Sequence, residues 1–214
     1  MHKLAKYAFL AAIALTWIPV QASAQLTLDD FTYGHYVKRI NNPQLYDLHY
    51  EALPPNSLMG AARQTDFEAT GNPDAQWSTL DVGKGHFVID AGFGCNPAMS
   101  IGYGYTLSGA QTPLGLNLGG YSGFQMNFQG IATSESLIVV ITVWPHSGGY
   151  YGVEVGLPPN GNAFPVAFPF SGFSKGGGGG SLTQADVSNI DYIVVQAQGG
   201  GFASFGITSF QAIN

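Results

Sequence analysis

The sequence predicts an all-β, single-domain protein built as an antiparallel β-sandwich or barrel. Three observations lead to this prediction. Apolar residues recur with a period of two in several short runs, and turn residues separate those runs throughout the chain. The 214 residues include 30 glycines, and only 9% of them are charged. This composition is far from that of helical or disordered proteins.

The N-terminus has the pattern of a cleavable secretory signal peptide. Two lysines precede the uncharged run Tyr7–Val20, and Ala22–Ala24 supplies the small residues that a signal peptidase accepts. The uncharged run is about 14 residues long, short of the roughly 20 that span a bilayer. We therefore expect removal of residues 1–24 and a single domain over 25–214. The expected location is the periplasm or the medium, with no membrane association after cleavage.

Charge and cysteine content narrow the classes of partner and of fold. Without the two signal lysines the formal net charge changes from −6 to −8, and the five remaining basic residues are scattered. No basic stripe exists to neutralise successive phosphates, so we predict no nucleic-acid partner. Cys95 is the single cysteine, so the fold depends on a hydrophobic core rather than on an internal disulfide. We expect Cys95 to be buried in that core.

Several runs have the periodicity of strands. Arg63–Ala69, Met99–Leu107 and Phe124–Gln129 alternate apolar with polar or small residues, as half-buried strands do. In the first of these runs the polar set should face outward. Leu137–Trp144 is almost continuously apolar and rich in β-branched residues, which predicts a central strand that is covered on both faces.

The C-terminal part contains two further strands and a short helical turn. Tyr192–Gln198 and Phe205–Ala212 alternate and are separated by glycines, so we predict that the chain ends as a β-hairpin. Before them, residues 181–186 have the composition of a helical turn. Ser181 and Gln184 stand at the spacing of a capping box there.

Five short motifs follow one another along nearly the whole mature chain: Leu28–Phe31, Leu58–Arg63, Phe168–Phe173, Val187–Asp191 and Ile207–Phe210. In this order they resemble secreted bacterial proteins distantly related to the complex I intermediate-associated protein family and to galactose-binding-like domains. The resemblance implies a jelly-roll sandwich. It also implies that the first and last strands pair, with Leu28–Phe31 beside Ile207–Ile213. Ala61 stands where such proteins have a glycine.

No motif identifies a catalytic or metal site. Gly172–Gly176 matches the G-x-S-x-G nucleophile elbow, but polyglycine follows where a helix is required. No histidine pair has the i,i+4 spacing of a metal-binding helix. We therefore predict no catalytic residue, no metal ligand and no cofactor. A structural calcium ion at Asp29–Asp30 is the alternative to a solvated sheet edge, which we favour because adjacent strand residues point to opposite faces.

The best candidate for ligand binding is the turn after the apolar strand. There Trp144, Tyr150 and Tyr151 could offer aromatic planes to the CH faces of sugar rings, while His146 or Ser147 could hydrogen-bond a hydroxyl group. The alternative is an ordinary hairpin with Trp144 in the core and only the tyrosines exposed. Trp77 is a second candidate contact.

These observations favour a secreted, non-catalytic sandwich that binds a glycan or another extracellular ligand. A second hypothesis is a structural protein of the cell surface or matrix that self-associates, because uncharged, glycine-rich strands can pair edge to edge. A third is a secreted hydrolase, because two carboxylates from distant strands can converge in a fold.

Overall fold

Strands form nearly all of the regular structure in the computed structural model, which describes residues 25–41, 46–71, 76–177 and 180–214. The predicted signal peptide lies outside these residues. Within them, the strands in chain order are β1 (Gln25–Asp29), β2 (His35–Ile40), β3 (Tyr46–Ala52), β4 (Ala62–Thr70), β5 (Ser78–Gly83), β6 (His86–Asp90), β7 (Asn96–Tyr105), β8 (Gly123–Thr133), β9 (Leu137–Pro145), β10 (Tyr151–Leu157), β11 (Asn160–Pro169), β12 (Ser174–Lys175), β13 (Ile190–Gln198) and β14 (Ala203–Ile213).

The strands form two antiparallel sheets. The first has the order β11-β8-β14-β6-β5-β2, with β1 beside β14, and the second has the order β12-β10-β9-β13-β7-β4-β3. The two sheets confirm the predicted antiparallel sandwich of jelly-roll type. The pairing of the first and last strands is also confirmed, because Gln25 lies opposite Ile213 and Asp29 opposite Phe210.

The core lies between the sheets and is built from alternate residues of each strand. Burying one large apolar side chain stabilises a fold by about 1.5 to 3 kcal/mol, and many aromatic rings contribute here. Cys95 is buried as expected. The largest fully buried apolar side chains include Phe31, Phe67, Phe87, Phe124, Phe128, Phe168, Phe173 and Phe210.

One charged cluster is enclosed with the apolar core. The Arg63 guanidinium is 0% exposed and lies 2.8 Å from an Asp29 carboxylate oxygen and 2.9 Å from a Glu51 carboxylate oxygen. The Tyr103 hydroxyl donates a hydrogen bond to Asp29 at 2.9 Å. The cluster ties β1, β3, β4 and β7 together. The solvated sheet edge expected at Asp29 is therefore corrected, because this carboxylate faces the core and pairs with the buried Arg63 guanidinium.

Asp30, by contrast, is exposed and accepts hydrogen bonds from the backbone and hydroxyl of Thr32. Across the described ranges, no group of three or more His, Cys, Asp or Glu side chains is arranged to hold a metal ion. The same residues contain no helix that is long and apolar enough to cross a membrane.

The predicted C-terminal hairpin is wrong. β13 lies in the second sheet between β9 and β7, whereas β14 lies in the first sheet between β8 and β6. Both edges of β13 are occupied by other strands, so the chain crosses from one sheet to the other after Gln198. Each of the two final strands thereby buries one face against the opposite sheet.

The apolar strand β9 is central in its sheet, but only one of its faces is covered. Leu137, Val139, Ile141 and Val143 are buried, whereas Ile138 on the other face is 41% exposed. The prediction of two covered faces is corrected because a two-layer sandwich covers each sheet on one side only. Its outward apolar residues therefore belong to a partly exposed surface.

The short helix α1 spans Gln184–Val187, and its capping box lies two residues after the predicted one. Thr183 is the N-cap: its hydroxyl accepts from the Asp186 backbone, and the Asp186 carboxylate accepts from the Thr183 backbone at 3.0 Å. Ser181 instead forms an isolated bridge with Ser174. Gln184 is the first residue of the helix rather than its third, and its side-chain amide donates to the Gly119 carbonyl oxygen.

Candidate functional site

A row of aromatic side chains crosses the outward face of the second sheet. Its members, here called the aromatic row, are Tyr150, Trp144, Tyr192, Tyr105 and Tyr50. The first lies in the turn just before β10, and the others belong to β9, β13, β7 and β3. Ring centroids are 6.1 Å apart for Trp144 and Tyr150, 6.4 Å for Tyr105 and Tyr192, and 6.1 Å for Tyr50 and Tyr105. Trp144 and Tyr192 are direct cross-strand partners.

Two glycines of β7 allow these rings to lie close to the sheet. A Cβ atom at Gly102 would stand 2.9 Å from Cε2 of Tyr105, and one at Gly104 would stand 2.6 Å from Cδ1 of Tyr192. Gly104 also has a φ of +96°, which side-chain-bearing residues rarely adopt. The inward and outward alternation of β7 is interrupted at this glycine, so that Tyr103 faces the core although Tyr105, two residues later, faces outward.

Part of the aromatic row encloses a cavity. Tyr105, Trp144 and Tyr192, together with Gln111, line a volume of about 260 Å³. Gln111 is held beside the row by an antiparallel bridge to Tyr105. Three aromatic walls and one amide suit a ligand that combines apolar faces with hydroxyl groups.

The structure brings together two of the four predicted binding residues. Trp144 is half-buried on the outward face, and Tyr150, 48% exposed, packs against it. His146 projects into solvent from the turn, and its Nδ1 atom lies 3.0 Å from an Asp191 carboxylate oxygen.

Tyr151 is a correction to the predicted site. It is only 7% exposed and lies opposite Val143, on the face of β10 that is turned toward the core. Consecutive strand residues point to opposite faces, so Tyr150 and Tyr151 cannot both contribute to one surface. The alternative with Trp144 in the core is corrected by the same alternation, because Trp144 lies on the outward face.

Trp77 does not join the aromatic row. It precedes β5 of the first sheet, is 49% exposed, and its ring lies 4.7 Å from the guanidinium carbon of Arg39. Its isolation in the other sheet makes it a useful reference for an exposed tryptophan outside the site.

The sequence patterns do not identify three tyrosines and one glutamine of the site: Tyr50, Tyr105, Tyr192 and Gln111. For Tyr105 they predict only a position in an alternating strand. The signal that could have identified it is the pair Gly102 and Gly104, because glycine within a strand often marks a bulge or a close approach. No local signal connects the remaining three residues, which the pairing of distant strands brings together.

A polar group lies beside the aromatic row on the same face. The Asp66 carboxylate accepts hydrogen bonds from the Tyr46 hydroxyl at 3.0 Å, the Ser100 hydroxyl at 2.7 Å and the Gln64 amide at 3.2 Å. Partial burial, together with the hydrogen bond to Asp66, raises the pKa of Tyr46 to about 12. Tyr46 therefore remains a neutral hydrogen-bond donor throughout the physiological range.

Comparison with known proteins finds likeness in structure only. No family model and no curated protein matches the chain, so the resemblance to the complex I intermediate-associated protein family stays a prediction. The family 11 carbohydrate-binding module from Clostridium thermocellum, in complex with a β-1,3-1,4-mixed-linked tetrasaccharide, is 11% identical over 89% of this chain and 95% of its own, with a TM-score of 0.42.

Two further solved structures are similar to the same degree. The module CtCBM11, solved in solution, is 10% identical over 91% of this chain and 98% of its own, with a TM-score of 0.44. The agarase AgWH50C is 11% identical over 89% of this chain and 24% of its own, with a TM-score of 0.47. At these identities and TM-scores, the similarity gives no information about what this chain binds.

Proposed function

We propose that this chain is a secreted, non-catalytic β-sandwich that binds a glycan through the aromatic row. The observation that carries the proposal is the cavity between Tyr105, Trp144 and Tyr192, which opens on the outward face of the sheet with the Gln111 amide at its side. A sugar ring offers both an apolar CH face and hydroxyl groups, and this lining complements both.

The aromatic row supplies the apolar part of the binding energy. Fully burying a large side chain contributes about 1.5 to 3 kcal/mol, and Tyr150 leaves 48% of its surface to be covered. Covering that fraction is worth about 1 kcal/mol, or roughly a fivefold change in Kd. Several rings that contribute in this way would produce measurable affinity without any charged contact.

The edges of the sheets support this proposal over self-assembly. β11 is an edge strand of the first sheet and carries Pro165 and Pro169, and proline cannot donate to a neighbouring strand. On β3, the edge strand of the second sheet, Asp47 forms an ion pair with Lys38 of β2. Prolines and charges at edges hinder the addition of another strand.

Affinity electrophoresis tests the proposal. The purified chain is run through gels that contain barley β-glucan, galactan, agarose, xylan or mannan, beside Trp144→Ala and the matched control Trp77→Ala. We expect at least one polysaccharide to retard the wild type and Trp77→Ala equally, and Trp144→Ala to migrate freely. If none of the polysaccharides slows the wild type relative to a gel without polysaccharide, glycan binding is contradicted.

The same samples test the absence of catalysis. We expect no release of reducing ends from the polysaccharide that retards the chain. Release that persists in the purified wild type would favour the hydrolase hypothesis and would contradict the non-catalytic part of the proposal.

A further inference from the structure

A shallow trough runs along β7 on the outward face of the second sheet. Its floor is formed by Ala98, Ser100 and Gly102, which are the small outward residues of this strand. The neighbouring strands contribute longer side chains at each level. On one side, β4 places Gln64, Asp66 and Glu68 opposite Gly102, Ser100 and Ala98, respectively. On the other side, β13 places Val194, Gln196 and Gln198 opposite the same three residues, in the same order.

The trough opens into the aromatic row. The Tyr105 ring lies over Gly102, as the 2.9 Å approach of a Cβ atom at this glycine indicates. Ser100 is two residues further along the strand, which corresponds to about 7 Å. Around it lies a second cavity of about 160 Å³, whose lining includes Tyr46, Asp66, Ser100 and Gln196. The two cavities share no lining residue, but both lie along β7, on the two sides of Gly102.

The hydrogen bonds of Asp66 leave the trough rich in acceptors. Tyr46 and Ser100 both donate their hydroxyl protons to this carboxylate, so the lone pairs of their own oxygen atoms remain as acceptors. The three donors make four hydrogen bonds to Asp66, two to each carboxylate oxygen, so the free acceptors here are the hydroxyl oxygens of Tyr46 and Ser100. A matching ligand would bring several hydroxyl donors.

The charges of this face select against anionic ligands. Asp66 and Glu68 line the second cavity. Glu154 of β10 and Asp191 at the start of β13 lie on the same sheet. Arg63 of β4 faces the core instead. A uronate or sulfate in the trough would meet like charges, and repulsion between like charges lowers affinity.

We propose that an extended, uncharged glycan lies along β7, with one unit in the aromatic cavity and further units hydrogen-bonded in a second subsite at Asp66, Ser100 and Gln196. This inference rests on the proposed function, because the aromatic row anchors the chain of sugars. It adds the direction of the ligand, a second subsite and a preference for neutral sugars.

Titration calorimetry with oligosaccharides of two lengths tests the second subsite. The probes are the disaccharide and the hexasaccharide of whichever neutral polysaccharide retards the wild type. We expect the hexasaccharide to bind about tenfold more tightly than the disaccharide, because it adds two or more hydrogen bonds. Ser100→Trp, which fills the trough, should reduce this ratio to near one.

Ser204→Trp is the matched control, because Ser204 lies outside the trough, on β14 of the first sheet. It should retain the wild-type ratio. If Ser100→Trp retains the ratio as well, the second subsite is refuted while glycan binding at the aromatic row stands. If none of the polysaccharides binds the wild type, the proposed function itself fails.

Polygalacturonate tests the charge preference in the same calorimeter. We expect no measurable binding at low salt, where charge repulsion is least screened. Binding as tight as that of the neutral hexasaccharide would overturn the assignment of an uncharged ligand.

Discussion

Replacing Arg63 with alanine should be one of the most destabilising changes in this chain. The substitution removes the cation that lies between Asp29 and Glu51, both of them buried. Burial alone would lower the pKa of Arg63, but Asp29 above all, and Glu51 as well, raise it above its ordinary value. The guanidinium is therefore charged at every accessible pH, and its loss leaves two carboxylates without a counterion.

The size of the effect follows from this geometry. Removing one partner of a buried ion pair costs about 3 to 5 kcal/mol. Tyr103 and the Phe31 backbone still donate to Asp29 in the variant, whereas Glu51 loses both of its guanidinium hydrogen bonds. We therefore expect a loss of about 4 kcal/mol, a large share of the 5 to 15 kcal/mol typical of a domain.

Urea denaturation followed by tryptophan fluorescence measures this loss. With a slope near 2 kcal/mol per molar urea, the midpoint should fall by roughly 2 M. Adding Asp29→Asn and Glu51→Gln to Arg63→Ala removes the unpaired charges and should recover part of the loss, so the three changes should not be additive. A midpoint within about 0.3 M of the wild type would refute the view that the cluster is enclosed and mutually dependent.

Three further outcomes are expected. Gly102→Ala should displace the ring of Tyr105 and weaken glycan binding severalfold, in calorimetry, while the free energy of unfolding changes by less than about 1 kcal/mol; unchanged affinity would contradict the close approach. Ile141→Ala should cost about 2 to 5 kcal/mol in urea denaturation, whereas Ile138→Ala on the outward face should cost under about 1 kcal/mol; equal losses would mean that both faces of β9 are covered. The pKa of Tyr46 is raised to about 12 from its ordinary value of 10.0, so its contribution to stability is complete below pH 10 and is lost as the pH rises through 12. Tyr46→Phe should therefore show a smaller fall in Tm than the wild type over this range, and parallel Tm curves would count against the shift.

The alternation of apolar and polar residues was enough to locate most strands in the sequence. Gln64, Asp66 and Glu68 of β4 face outward as predicted, whereas Arg63 and Thr65 are buried. The run Phe124–Gln129 lies within β8, and most of Met99–Leu107 lies within β7. Alternation reports which face of a strand is apolar, and this property depends on neighbours in the chain. It does not report which strand lies alongside, so the predicted hairpin of the last two strands failed although both strands exist.

The part of the site that was predicted is local in the chain, whereas the part that was missed depends on which strands are neighbours. Trp144 and Tyr150 belong to one turn and were recognisable together, although only the pleat of β10 shows that Tyr151 turns inward. Tyr105 and Tyr192 are remote in the chain, and the antiparallel register of β7 with β13 brings their rings to 6.4 Å.

By itself, the sequence determined an all-β chain with an apolar strand, an aromatic turn and only seven lysine and arginine residues. These properties are local or compositional, so they can be read without knowing which strands are neighbours. Only the tertiary structure decided that Arg63 is buried between two carboxylates and that five aromatic residues form one row. Both arrangements depend on pairing between strands that are distant in the chain. That pairing is selected because it lets each sheet bury one apolar face against the opposite sheet.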